Sequence, residues 1–179
     1  MASKTLTRTC AAAGAALLTA GLLGAPAFAR ERAGSGGAAS AAAVSKITHA
    51  DATGRFRAAG IAWTSSGGCS DRNNAGCTSF DQLNLATAQG AVTLKGATGC
   101  ALTITGGTET GHASGTYSHW NGYKLDFSPT TCVTNYITGT FTRIADRGDG
   151  ARQYKSASGN IYARESNHWD VTYYNCGGC

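Results

Sequence analysis

Past residue 44 the apolar positions fall into short runs whose period switches between two and about 3.6. Ala101 to Thr105 alternates cleanly, predicting a half-buried strand with Leu102 and Ile104 inward. Gly106-Gly107 breaks that strand and opens a polar loop to Tyr117. Tyr123 to Phe127 alternates again, with Tyr123, Leu125 and Phe127 on one face and Lys124 and Asp126 on the other. His168 to Tyr174 predicts a final strand in which His168 and Asp170 share one face and Trp169 and Val171 the other. Gly60 to Trp63 reads as a short strand, and Gln153–Lys155 and Ile161–Glu165 as a hairpin across Ser158-Gly159-Asn160.

Two segments carry the helical period. Phe80, Leu83, Ala86 and Leu94 predict a helix from Phe80 to about Lys95, with Ser79 as N-cap and Gln82 completing an S-x-x-Q capping box. Val133, Tyr136, Ile137, Phe141 and Ile144 predict a second helix, entered after Pro129 and ended by the turn Asp146-Arg147-Gly148-Asp149-Gly150. That DRGDG segment is too short for an EF-hand loop and reads as a polar turn. The sum is an α+β domain with a small, mostly antiparallel sheet and flanking helices.

The ends lie outside this pattern. Lys4 and Arg8, the apolar run Ala11 to Leu23 and Ala27-Phe28-Ala29 have the form of a secretory signal peptide over residues 1–29. Residues 30–45, rich in Ala, Gly and Ser, predict a flexible leader, and residues 46–179 the functional domain. The expectation is a secreted, monomeric protein outside the membrane. The formal charge of +5 includes Lys4 and Arg8, and without them it is +3. The remaining basic residues are scattered, which argues against a nucleic-acid partner. Beyond Cys10 of the signal segment there are six cysteines, and an exported chain favours three disulfides among 15 possible pairings. Proximity suggests Cys69–Cys77 and Cys176–Cys179, leaving Cys100–Cys132. A structural zinc site using the terminal C-G-G-C is the weaker alternative.

The chemistry concentrates in HASGTYSHWNGYKLDF (His112 to Phe127) and ESNHWDVTYY (from Glu165). These hold three of the four histidines, and strand parity turns Asp126 and His168 off the apolar face. Catalytic zinc takes three protein ligands and leaves a position for water, whose proton a nearby carboxylate can accept. His119, Asp126 and His168 are the candidate metal ligands, and Glu165 the candidate general base. Trp120 and Trp169, each following a ligand histidine, are candidate packing behind them. The helical H-E-x-x-H motif is absent.

The run Ser118-His119-Trp120-Asn121-Gly122-Tyr123-Lys124-Leu125-Asp126 resembles the S-x-H-x-x-G-x-A-x-D signature of the zinc D-Ala-D-Ala carboxypeptidases and related peptidoglycan peptidases. Glu165-Ser166-Asn167-His168-Trp169 is similar to their E-x-x-H-W/F box. The likeness spans about residues 80–174. It implies zinc on His119, Asp126 and His168 with Glu165 as base, in a secreted metallopeptidase cutting amide bonds of peptidoglycan peptides. The stretch ITGGTETGHASGTYSHWNGYKLDF also resembles the zinc-binding part of the Hedgehog signalling domain, which implies a place beside the metal for His112, stabilising a developing oxyanion. Two departures stand out. Lys124 replaces a small residue, and the segment ITGGTETG lacks the arginine that the peptidases carry there, with Arg164, Arg72 or His112 as possible substitutes. The alternative implied by the Hedgehog likeness is a zinc-containing binding module without peptidase activity. A third reading, from the cysteines alone, is a small disulfide-stabilised inhibitor or toxin without metal.

Overall fold

The computed structural model describes residues 44–174. The signal segment, nearly all of the leader and the Cys176–Cys179 pairing lie outside the described residues. At the inner edge of the leader, the Ser45 carbonyl already accepts a hydrogen bond from the Leu85 amide at 2.8 Å.

A short strand β1 (Lys46–Ile47) leads into helix α1 (His49–Ala58). The sequence reading missed this helix. Its start is a capping box: the Thr48 hydroxyl accepts from the Asp51 amide at 3.1 Å, and the Asp51 carboxylate accepts from the Thr48 amide at 3.3 Å. Ala52 and Phe56, four residues apart, give it a narrow apolar face. Then come β2 (Ile61–Trp63), β3 (Leu83–Asn84), α2 (Leu85–Thr98), β4 (Leu102–Gly106) and β5 (Lys124–Phe127). The chain ends with α3 (Thr131–Thr140), β6 (Thr142–Ile144), β7 (Arg152–Lys155), β8 (Ile161–Arg164) and β9 (Trp169–Thr172).

Seven strands form one sheet in the order β2-β4-β5-β9-β8-β7-β6, and β1 pairs with β3 in a separate ladder. Only the β2–β4 pair is parallel within the large sheet. The α+β, mostly antiparallel expectation therefore holds. Leu102, Ile104, Leu125, Phe127, Trp169 and Val171 point to one face, where they share a core with Phe56 of α1, Leu94 of α2 and Val133 and Ile137 of α3. Two disulfides tie the edges of this core, Cys69–Cys77 and Cys100–Cys132, as proximity and elimination suggested.

Both predicted helices need correcting. The Ser79–Gln82 capping box does not form: Ser79 Oγ accepts from the Asp81 amide at 3.2 Å, and Gln82 has a left-handed φ of 61°. The Ser79 backbone is instead bound to Thr108 and Glu109, so the helix begins at Leu85. The second helix stops at Thr140, and Phe141 and Ile144 leave it, with Ile144 in β6. Phe141 still packs on Tyr136, with ring centroids 5.7 Å apart, so the apolar stripe meets its neighbours in space although the backbone has changed type. Among the described residues no helix is long and apolar enough to cross a membrane.

Candidate metal centre

The site is built on the other face of β5 and β9. Their register places Asp126 opposite Asp170 and Leu125 opposite Val171, so each apolar residue turned inward leaves a carboxylate on the far side. Both carboxylates are buried. Asp126 also pairs with Gly106 of β4, where any Cβ would collide with its carboxylate, so a side chain of any size there would displace the group.

His119 comes from the loop entering β5. The Gly122 amide donates to the His119 carbonyl at 2.7 Å and the Tyr123 amide to the Ser118 carbonyl at 3.1 Å, closing a tight turn. Gly122 carries a φ of 75° and any Cβ there would collide with the Gln82 carbonyl, so two constraints demand glycine. The turn buries the His119 ring and brings Nδ1 to 2.7 Å from the Gly107 carbonyl. A carbonyl can only accept, so Nδ1 carries the proton and Nε2 points inward. His168 is set in the β8–β9 turn, closed by the Glu165 amide donating to the His168 carbonyl at 3.1 Å. Its Nδ1 lies 2.8 Å from the Asn167 side-chain oxygen, which again leaves Nε2 facing inward.

Both Nε2 atoms converge on one oxygen. Asp126 Oδ1 is 3.3 Å from His119 Nε2 and 3.5 Å from His168 Nε2, yet it is buried without a hydrogen bond. Lone pairs meeting at a buried carboxylate oxygen repel unless a cation, a proton or a metal ion, lies between them. Among the described residues, the group whose ligand atoms all lie within 4.8 Å of one another, and which could hold a metal ion, is His112, His119 and Asp126. The His112 ring is stacked on His119, with centroids 3.8 Å apart and planes 16° from parallel, and its Nδ1 is 3.9 Å from Asp126 Oδ2.

The charges around this centre are layered. Burial opposes an imidazolium at His119, but the adjacent Asp126 carboxylate, and Asp170 beyond it, outweigh that and raise its pKa. Burial likewise pushes the Asp126 carboxyl upward, and His119, His168 and His112 more than reverse it, leaving a lowered pKa. Asp170 Oδ2 accepts from Lys124 Nζ at 2.6 Å and from Arg147 Nη1 at 2.8 Å. Its Oδ1 has no hydrogen bond and lies 3.8 Å from His119 Nε2. Glu165 places Oε2 3.4 Å from His168 Nε2 while its other oxygen is held by Arg147. Arg147 also grips Asp149; that contact raises its pKa against the opposing effect of burial, with help from Glu165 and Asp170. Beneath His112, Glu109 accepts from the Ser79 amide at 2.7 Å and the Gly107 amide at 3.0 Å, with His112 Nε2 at 3.4 Å.

A cleft of about 460 Å³ opens over these groups, lined among others by His112, His119, His168, Glu165, Lys124 and Arg147. All five residues singled out from the sequence, His112, His119, Asp126, Glu165 and His168, therefore meet in one place. Trp169 is fully buried, and its Nε1 donates to Thr134 Oγ1 at 3.2 Å. Trp120 corrects the expectation: it is 44% exposed, with Arg72 Cζ 3.7 Å from its ring centroid, on the surface rather than behind His119. Arg72 and Arg164 do not line this cleft. The cations that do are Arg147 and Lys124. Arg147 was hidden in a segment read as a plain turn, and its only sequence signal was a cation flanked by two aspartates. Compared with protein-family models, with curated proteins and with solved structures, the chain matches none.

Proposed function

We propose that the protein is a zinc metallopeptidase that hydrolyses amide bonds of peptidoglycan peptides, with His119, Asp126 and His168 as the zinc ligands and Glu165 as general base. The observation that carries this reading is the meeting of two Nε2 atoms at one buried oxygen, each imidazole fixed by an acceptor at Nδ1. Metal-binding histidines are held in this way, by a hydrogen bond from the nitrogen that does not bind the ion.

His168 is preferred to His112 as third ligand on geometric grounds. An ion lies in the plane of each imidazole that binds it, and two rings stacked within 16° of parallel share no such position close to both. Two nitrogens and one carboxylate oxygen, all buried or half-buried, suit zinc. Zinc bound there would polarise an amide carbonyl and acidify a water molecule.

The protein's own groups divide the remaining work. Glu165 lies beside His168 at the cleft, where its carboxylate can accept a proton from the attacking water and deliver it to the leaving amine. Arg147 fixes the orientation of Glu165 through an ion pair on the oxygen turned away from His168. His112, stacked on His119 and partly exposed to the cleft, is placed to donate to a developing oxyanion. The Hedgehog/D,D-peptidase-like fold belongs to this proposal, supported by the antiparallel sheet and the place of the two boxes on β5 and at the start of β9.

The pairing of Glu165 with Arg147 also favours the second reading, a zinc-containing binding module, because it occupies one oxygen of the base. One comparison separates the two. Mature wild type and Glu165→Gln are analysed for bound metal and incubated with cell-wall fragments, with and without chelator, and the fragments are read by mass spectrometry. A peptidase gives chelator-sensitive cleavage that the substitution abolishes while metal stays bound. A binding module gives metal in both proteins and cleavage in neither.

A further inference from the structure

The fourth histidine, His49, stands apart from the cleft as the first residue of α1, directly after the Thr48 cap. Its Nδ1 accepts a hydrogen bond from the Phe80 amide at 3.0 Å. Its ring stacks on the Phe80 ring, with centroids 5.2 Å apart and planes 12° from parallel. A backbone amide can only donate, so Nδ1 is bare, the proton sits on Nε2 and the ring is neutral. A second proton on Nδ1 would set two donors against each other, and its charge would lie at the positive end of a helix dipole. Burial lowers the His49 pKa below its ordinary value; Asp81, beside Phe80 in the chain, works against that, and Arg57 of α1 adds to it. The ring also lines an open cavity of about 400 Å³ with Arg57, Trp63 and Ser70, so solvent protons reach it.

The bond holds more than one ring. Phe80 is fully buried, edge-to-face against Phe56 and Trp63. Its neighbour Ser79 gives its amide to Glu109 at 2.7 Å and accepts the Thr108 amide on its carbonyl at 2.7 Å. That carbonyl lies so close to Gly107 that no Cβ fits there, and the Gly107 carbonyl in turn faces His119 Nδ1 at 2.7 Å. The segment around Ser79 and Phe80 therefore backs the loop on which Glu109, His112 and His119 are set. We propose that His49 is an acid-sensitive latch: neutral, it ties this segment to α1; protonated, it releases the Phe80 amide and loosens the floor beneath His112 and His119. Below about pH 6.5, the ordinary histidine value, the unfolded chain takes up a proton that the folded chain resists. Stability therefore falls with pH through that value until the folded pKa is passed, where the folded ring is protonated too and the latch opens. The device stands apart from the peptidase reading, since it requires neither metal nor turnover.

The test is histidine titration and amide exchange by NMR on chelator-treated mature protein, wild type beside His49→Asn. Asparagine keeps an acceptor at the place of Nδ1 but cannot titrate. In wild type the His49 ring should titrate below the ordinary histidine value. Protection of the Phe80 amide, corrected for the intrinsic pH dependence of exchange, should fall about tenfold between about pH 7.5 and 5, the loss of one hydrogen bond. The Ser79 and Gly107 amides should lose protection with it. In His49→Asn all three should keep theirs, although the other histidines still titrate. A His49 ring that titrates at or above the ordinary value would overturn the latch. So would Phe80 protection that is the same at both pH values, or that falls equally in the variant. Loss at Phe80 with Ser79 and Gly107 unchanged would overturn the reach of the latch to the floor of the cleft. The wild-type ring titration and Phe80 protection decide the matter even where the variant does not fold.

Discussion

Strands β5 and β9 each build two different interiors, one residue apart. On the helix side Leu125, Phe127, Trp169 and Val171 are fully buried among apolar neighbours. On the other side Asp126 and Asp170 are almost as completely buried, among imidazoles, Lys124 and Arg147. The first interior is stable because it excludes water, and any shape-matched apolar residue would serve it. The second is costly in itself, since each desolvated carboxylate needs a partner, and it persists because the first holds the strands in register. The core face thus supplies folding free energy, and the polar face spends part of it on holding together a group of side chains that could bind a metal ion.

That division is tested most severely by Phe127→Ala. Truncating a fully buried phenylalanine should destabilise the protein by about 3–5 kcal/mol, read by urea denaturation. Metal affinity of the protein that remains folded should change little. A large loss of affinity at full foldedness would mean that the two faces are not separable.

Asp126→Asn is the converse substitution. It removes the carboxylate oxygen on which His119 and His168 converge, and zinc affinity should fall by more than about 100-fold, beyond the loss typical of an outer-sphere partner. The metal-free melting temperature should move only slightly. Retained zinc binding would overturn the ligand set, and equivalent retention by His168→Ala but not His112→Ala would shift it to the stacked histidine.

Glu109→Gln probes the floor of the polar face with a smaller effect. Burial works to raise this carboxyl, but His112 and the Ser79 and Gly107 amides outweigh it, so its folded pKa is lowered. A lowered carboxyl stabilises the fold at pH values above its unfolded pKa, about 4.3, and that contribution disappears as pH falls through the folded value. The substitution should therefore cost about 1–3 kcal/mol at neutral pH. The stability curves of wild type and variant should converge in acid. A gap that stays constant below pH 4 would show that the carboxylate's charge is not what the floor requires.

How much of this was legible in the sequence follows the range of the forces involved. The alternation of Tyr123 to Phe127 and Trp169 to Val171 is local, so strand parity and the outward turn of Asp126 could be read directly. The apolar face of α1 consists of little more than Ala52 and Phe56, with Gly54 and two arginines between and around them, too weak a period to register. The start of α2 was misplaced because Ser79, a good cap by type, is taken by Thr108 and Glu109 from a distant loop. Arg147 and Glu109 were given no role, and Asp170 only a place on the face of His168, because the partners that tie them to the site, Glu165 and Asp170 for Arg147 and Ser79 for Glu109, lie at sequence separations that no motif spans.

Lys124→Met should have the smallest effect, and it asks how the polar face tolerates its buried acids. Asp170 Oδ2 is shared between Lys124 and Arg147, at 2.6 and 2.8 Å. Stripping a buried carboxylate of its only cation costs about 3–5 kcal/mol. With Arg147 still in place, and the lysine side chain 20% exposed, the loss should be about 1 kcal/mol or less in urea denaturation of the metal-free protein. Arg147→Met alone should cost more, because it also releases Glu165 and Asp149. The double variant should exceed the sum of the singles, since only then is Asp170 buried with no cation on Oδ2. Strict additivity would mean that the two cations act on Asp170 independently, and the polar face would then depend on each ion pair separately rather than on a shared reserve of charge.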